Sequence, residues 1–120
     1  MPVHNLFDRS PQAAANKEVF ETLCEAREVR IERITSRGQT TPEGEWLSEK
    51  THEWVALLQG EASLEFADEA EGTSLKAGDY LFIPAFTRHR VTMTSKEPPA
   101  VWLAIHLAGE PPRIPTGRGA

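Results

Sequence analysis

Apolar residues recur at every second position in short runs from about residue 18 to residue 107, and no long stretch keeps a helical period. That rhythm predicts an all-β chain. The candidate strands are Val19 to Glu25, Glu28 to Ser36, His52 to Gln59, Ala62 to Ala67, Tyr80 to Pro84, His89 to Thr94 and Ala100 to Leu107. Gly60, Gly72, Gly78 and the Pro98-Pro99 pair separate them. Ala62, Leu64 and Phe66 alternate with Ser63 and Glu65, which predicts a strand with one buried face. Trp54 to Leu58 is almost continuously apolar and predicts a central strand covered on both sides, with Gln59-Gly60-Glu61 as a tight connection after it.

The ends read differently. Gln12 to Asn16 is Ala-rich and long enough only for a helical turn. The tail AGEPPRIPTGRGA is rich in Pro and Gly, with little to bury. The expected organisation is an N-terminal arm over residues 1–17, one β domain over residues 18–107 and a flexible tail over residues 108–120. At 120 residues the chain has room for one modest core, so a single site is expected.

Composition narrows the function classes. The chain is 39% hydrophobic and 26% charged, as soluble globular domains are, and no run approaches the roughly 18 apolar residues of a membrane span. The N-terminus lacks the basic start and apolar stretch of a signal peptide, so a cytoplasmic location and no membrane partner are expected. A net charge of −5 without a basic run argues against nucleic acid. Cys24 is the only cysteine; it cannot form an internal disulfide and is expected to be a small apolar filler.

Two stretches carry more than rhythm: Glu53-Trp54-Val55-Ala56-Leu57-Leu58-Gln59-Gly60, and Gly78-Asp79-Tyr80-Leu81-Phe82-Ile83-Pro84-Ala85-Phe86-Thr87-Arg88-His89. Together they resemble the two motifs of the cupin superfamily, G-x5-H-x-H-x3,4-E-x6-G and G-x5-P-x-G-x2-H-x3-N. Glu53 and Gly60 match the end of the first; Gly78, Pro84 and His89 match the second. The closing Val101-Trp102-Leu103-Ala104-Ile105-His106 adds a likeness to stand-alone bacterial cupin-2 proteins. The resemblance implies a single-domain jelly-roll β-barrel with an interior small-molecule pocket. It also implies a homodimer, for which Val19 to Glu25 could supply a pairing edge.

The departures bear on chemistry. The two histidines of the first motif fall on Leu47 and Glu49, the second-motif glycine on Phe86 and its asparagine on Met93. In metal-binding cupins the resemblance would make those histidines, the glutamate and the second-motif histidine ligands to iron, manganese, nickel or zinc. Here only Glu53 and His89 carry over, with Glu49 a possible oxygen donor. Leu47 cannot coordinate.

His89 shares strand parity with Val91 and Met93 and should face the apolar interior. His106 shares a face with Trp102 and Ala104, and either that face or the one bearing Val101, Leu103 and Ile105 lines the interior. The candidate metal ligands are therefore Glu53, His89, Glu49 and His106. Each has a plainer alternative: a hydrogen-bonded imidazole, or a carboxylate paired with Arg88 or Arg90. His52 has the opposite parity to Glu53 and is expected at the surface. Trp46, Trp54 and Trp102 are expected in the core or at a dimer contact. The run Asp68-Glu69-Glu71 is expected to be a solvated turn. Three functions stay open: a metal-dependent enzyme of oxygenase, isomerase or lyase type, a metal-free small-molecule binding or sensing module, and a structural protein.

Overall fold

The computed structural model describes residues 1–8 and 16–115, and their regular structure consists of eight strands. They are β1 (Val19–Glu25), β2 (Val29–Ser36), β3 (His52–Gln59), β4 (Glu61–Phe66), β5 (Thr73–Lys76), β6 (Tyr80–Ile83), β7 (His89–Thr94) and β8 (Ala100–Leu107). The order β1-β2-β8-β3-β6 makes a five-stranded sheet and β5-β4-β7 a three-stranded one, with every pairing antiparallel. Hydrogen bonding among the described strands leaves these as two sheets and does not close them into one barrel. The expected helical turn at Gln12 to Asn16 falls almost wholly outside the described residues.

The core lies between the sheets. Val55 and Leu57 of β3 and Trp102 and Ala104 of β8 meet Leu64 of β4 and Leu75 of β5 there. β3 is an inner strand, as its apolar run predicts, but β8 holds the centre of the larger sheet. The outer face of β3 packs aromatically: Trp54 lies 5.2 Å from Tyr80 and His52 lies 5.7 Å from Phe82, ring centre to ring centre. His52 therefore faces away from the interior, as its parity requires, and its Nδ1 accepts the Ala85 N–H at 3.0 Å.

On the same outer face Arg33 of β2 is buried by chain that precedes β1. Its guanidinium donates to the carbonyls of Asn5, Leu6 and Asp8 at 3.3, 2.9 and 3.0 Å and pairs with Glu21 at 2.8 Å. Arginine suits this place because its planar fork can satisfy several acceptors at once.

Two side chains depart from expectation. The β4–β7 register opposes Leu64 to Val91 but Ser63 to Met93, so β7 carries one extra residue at Thr92. That bulge turns Met93 outward and Thr94 inward, while His89 and Val91 keep the inner face. Cys24 is exposed rather than a filler, because it lies at the exposed end of the edge strand β1. β5 was not expected; Thr73–Lys76 has Leu75 as its only large apolar residue, too few to display a period. The acidic run Asp68 to Glu71 is exposed at the β4–β5 connection, as expected.

Candidate functional site

A cavity of about 400 Å³ opens between the sheets. Its apolar wall is Val55, Ile83 and Trp102 from one sheet with Leu64 and Val91 from the other. Polar groups converge on this lining, the usual composition of a small-molecule pocket.

β8 decides the polar end. Its even positions Ala100, Trp102, Ala104 and His106 are all buried, Trp102 and His106 line the cavity, and Val101 is the one buried odd position. Across the sheet register His106 sits opposite Glu53 of β3 on one side and Arg30 of β2 on the other. Its Nε2 bonds Glu32 Oε1 at 2.9 Å. A carboxylate only accepts, so Nε2 carries the proton and a neutral imidazole presents a lone pair at Nδ1. That Nδ1 is buried and has no hydrogen-bond partner among the described residues.

His89 comes from the opposite sheet. Paired with Phe66 in the register and 5% exposed, it is fixed by its Nδ1–H donating to the Thr87 carbonyl at 2.8 Å. The carbonyl also accepts only, which leaves the lone pair on Nε2.

Glu53 sits on β3 between Ile83 and His106. Burial pushes its pKa above the ordinary value; His106 and His89 pull it down, and Glu49 and Glu32 add to the rise. Ionising Glu53 therefore opposes folding. That cost is absent below its ordinary value of 4.5 and grows as pH rises through the folded-state value. Glu53→Gln should raise the melting temperature at pH 7 by about 2–5 °C, the scale of a 1 kcal/mol change. The gain should vanish below pH 4.5. Calorimetry of both proteins from pH 4 to pH 8 checks this; a variant less stable than wild type at pH 7 contradicts it.

The cavity mouth is the irregular stretch between β2 and β3. Leu47 exchanges backbone hydrogen bonds with His89 at 2.7 and 3.0 Å, and Thr41 does the same with Val91 through N–H and Oγ1, each at 2.9 Å. Trp46 lies under the guanidinium groups of Arg88 and Arg90, at 5.4 and 6.0 Å. Arg90 pairs with Glu65, so neither it nor Arg88 serves Glu53. Glu49 is exposed at the rim, where its carbonyl accepts the Phe86 N–H. Of the tryptophans, Trp102 is core, Trp54 lies on the outer face and Trp46 packs against Arg88 and Arg90, outside the cavity lining.

Glu53, His89 and His106 thus share the cavity wall, with Glu49 at its edge. They do not make a metal centre as they stand. Among the described residues, no three His, Cys, Asp or Glu side chains are grouped so as to hold a metal ion. Leu47, which cannot coordinate, stands where the family motif has a histidine.

Sequence reasoning missed Glu32. Its strand reads Val-Arg-Ile-Glu-Arg-Ile-Thr-Ser, and the apolar Val29 and Ile31 suggest that the odd positions face inward. In fact Arg30, Glu32 and Ile34 line the cavity. A carboxylate two residues from an inward arginine, opposite a strand containing histidine, was the available signal.

No curated protein matches the chain. Several solved structures do. A Ralstonia eutropha JMP134 protein provisionally named a mannose-6-phosphate isomerase is 39% identical, over 90% of this chain and 100% of its own, with a TM-score of 0.82. A cupin superfamily protein from Desulfitobacterium hafniense DCB-2 is 21% identical over 82% of this chain and 84% of its own, with a TM-score of 0.67. An RmlC-like cupin with a double-stranded β-helix fold from Methanocaldococcus jannaschii is 17% identical over 89% and 93%, with a TM-score of 0.64. The last two bear on fold alone. The pattern of the cupin domain family Cupin_2 extends over residues 37–106, more than half of the chain, and the chain belongs to that family.

Proposed function

We propose that this cupin holds a small organic molecule in the cavity between its sheets and needs no metal to do so. The observation that carries the reading is the cavity itself: about 400 Å³, apolar on its walls, with Glu53, His89 and His106 converging at one end. Acid–base work by the imidazoles on the bound molecule is compatible with this site; coordination by four side chains is not supported by their placement.

The competing reading is a metal-dependent oxygenase, isomerase or lyase using iron, manganese, nickel or zinc. It requires Glu53, His89, Glu49 and His106 to converge, His106 through Nδ1 while its Nε2–H stays on Glu32. Titration of Co²⁺ or Ni²⁺ into tag-free protein separates the two. A ligand that binds only the folded state raises stability by mass action. We expect no metal-dependent rise in melting temperature in wild type, and the same null response in His89→Ala. A rise in wild type that disappears in His89→Ala overturns the metal-free reading.

The partner chain we propose is a second copy. β1 is an edge strand of the larger sheet and exposes Phe20 and Leu23, and an unpaired edge is a template that a two-fold copy can complete. Sedimentation at micromolar concentration should give twice the chain mass of 13.4 kDa. A monomer alone rejects the pairing.

A further inference from the structure

The relative named for a sugar phosphate invites the expectation of an anionic ligand, and the lining of this cavity argues the other way. Glu18, Glu32, Glu45, Glu49 and Glu53 all border it, while Arg30 is the only Lys or Arg among the described lining residues. A phosphate dianion would have to enter against these carboxylates with one guanidinium in compensation.

Acidic residues at a cavity are common, and hydrogen-bond accounting supplies an independent observation. His106 is 7% exposed, and its Nδ1 has neither a donor nor an acceptor beside it among the described residues. In the neutral imidazole, with Nε2–H committed to Glu32, that nitrogen is an acceptor that needs a donor. His89, held through Nδ1–H, likewise presents an acceptor at Nε2. On neutral imidazoles, the lone pairs of His106 and His89 and the carboxylate of Glu53 thus face the cavity from its two sheets, with Arg30 the one cationic donor among the described lining residues.

We infer that the ligand of this cavity is an organic cation that carries several N–H donors, of the guanidine or amidine type. This rests on the small-molecule reading above and specifies its chemistry. A planar guanidinium offers five N–H donors, no acceptor and a permanent charge. One edge satisfies the Glu53 carboxylate while a further N–H supplies the donor that His106 Nδ1 lacks. The apolar wall of Val55, Val91 and Trp102 accommodates a short alkyl chain.

The test is titration of wild type with four probes: agmatine, its uncharged urea isostere, mannose and mannose 6-phosphate. The readouts are calorimetry and the side-chain ¹⁵N resonances of His89 and His106. Hydrogen bonds to a charged group are worth about 1.5–3 kcal/mol, so agmatine should bind roughly ten- to a hundredfold more tightly than the urea. It should shift both imidazole resonances. Glu53→Gln and Glu32→Gln should each remove most of that preference; the first is expected to be the more stable protein, so its loss of binding is not loss of fold. If the urea binds as tightly as agmatine, or either sugar binds more tightly, the cation assignment is overturned while the small-molecule reading stands. If no probe moves the imidazole resonances, both fall.

Discussion

Trp102→Ala is expected to cost about 3–5 kcal/mol, the range for deleting a buried large aromatic side chain. In a domain of this size that corresponds to a fall in melting temperature of roughly 12–20 °C. Trp102 is 5% exposed at the centre of the larger sheet, packed in the cluster that joins the two sheets. Its Nε1–H donates to Ser36 Oγ at 3.3 Å, and Ser36 in turn donates to Glu18. Trp102→Phe keeps most of the ring and loses that bond, so it should cost about 0.5–1.5 kcal/mol from the hydrogen bond, plus the smaller loss of ring volume. Denaturant unfolding of both variants separates packing from hydrogen bonding. Equal losses for alanine and phenylalanine would show that the ring is not what joins the sheets.

The second large effect is expected at Gly60, where the chain leaves β3 in one sheet and enters β4 in the other. Its φ is +85°, a conformation costing a residue with a side chain about 1–2 kcal/mol. A Cβ there would also meet Pro99 O at 2.8 Å, Ala100 Cα at 2.9 Å and Ser95 Oγ at 2.5 Å. Two of these are backbone atoms at the start of β8, which cannot move without disturbing the central strand. Gly60→Ala should therefore cost about 2–5 kcal/mol, combining backbone strain with overpacking. Gly78→Ala is the matched control: its φ is +97° and nothing lies within 4 Å of the added atom, so only the roughly 1–2 kcal/mol of strain applies. Melting the two variants side by side measures the crowding term. If they lose equal stability, the close approach at Gly60 is not a constraint.

The sequence was most legible where a single periodicity governs a strand. Ala62, Leu64 and the partly buried Phe66 face inward together, and β3 and β8 begin and end where their apolar runs do. The text was least legible where a strand has two covered faces or changes register. Alternation in β8 left His106 on one of two equal faces, and the choice follows from three-dimensional packing: the small Ala100 and Ala104 fit beside Trp102 in the interior. In β7 the bulge at Thr92 adds a residue without any Gly or Pro to announce it, so Met93 was placed on the wrong side. Glu32 was hidden because Val29 and Ile31 point outward from a sheet whose outer face is itself partly apolar.

Of the candidate site, Glu53 and His89 were readable from motif spacing, and Glu32, which orients His106, was not. Phe86 shows how a motif position can outlive its residue. It stands where the family motif has glycine and keeps a φ of 64°, with its side chain 70% exposed. The chain holds the turn that glycine favours, with Thr87 still delivering its carbonyl to His89.

The positions of the three tryptophans make the protein its own optical instrument. Trp102 lies between the sheets beside the cavity, Trp54 packs at a tilt against Tyr80 on the outer face, and Trp46 rests beneath the guanidinium groups of Arg88 and Arg90. Emission from Trp102 senses the cavity, and the other two do not border it. A molecule in the cavity meets Trp102 without touching Trp54; a second chain paired along the β1 edge leaves Trp54, three strands away on β3, unchanged; global unfolding moves all three toward the spectrum of a solvated indole. Proteins retaining one tryptophan at a time would let occupancy and denaturation be followed separately, in the same cuvette and without an attached dye.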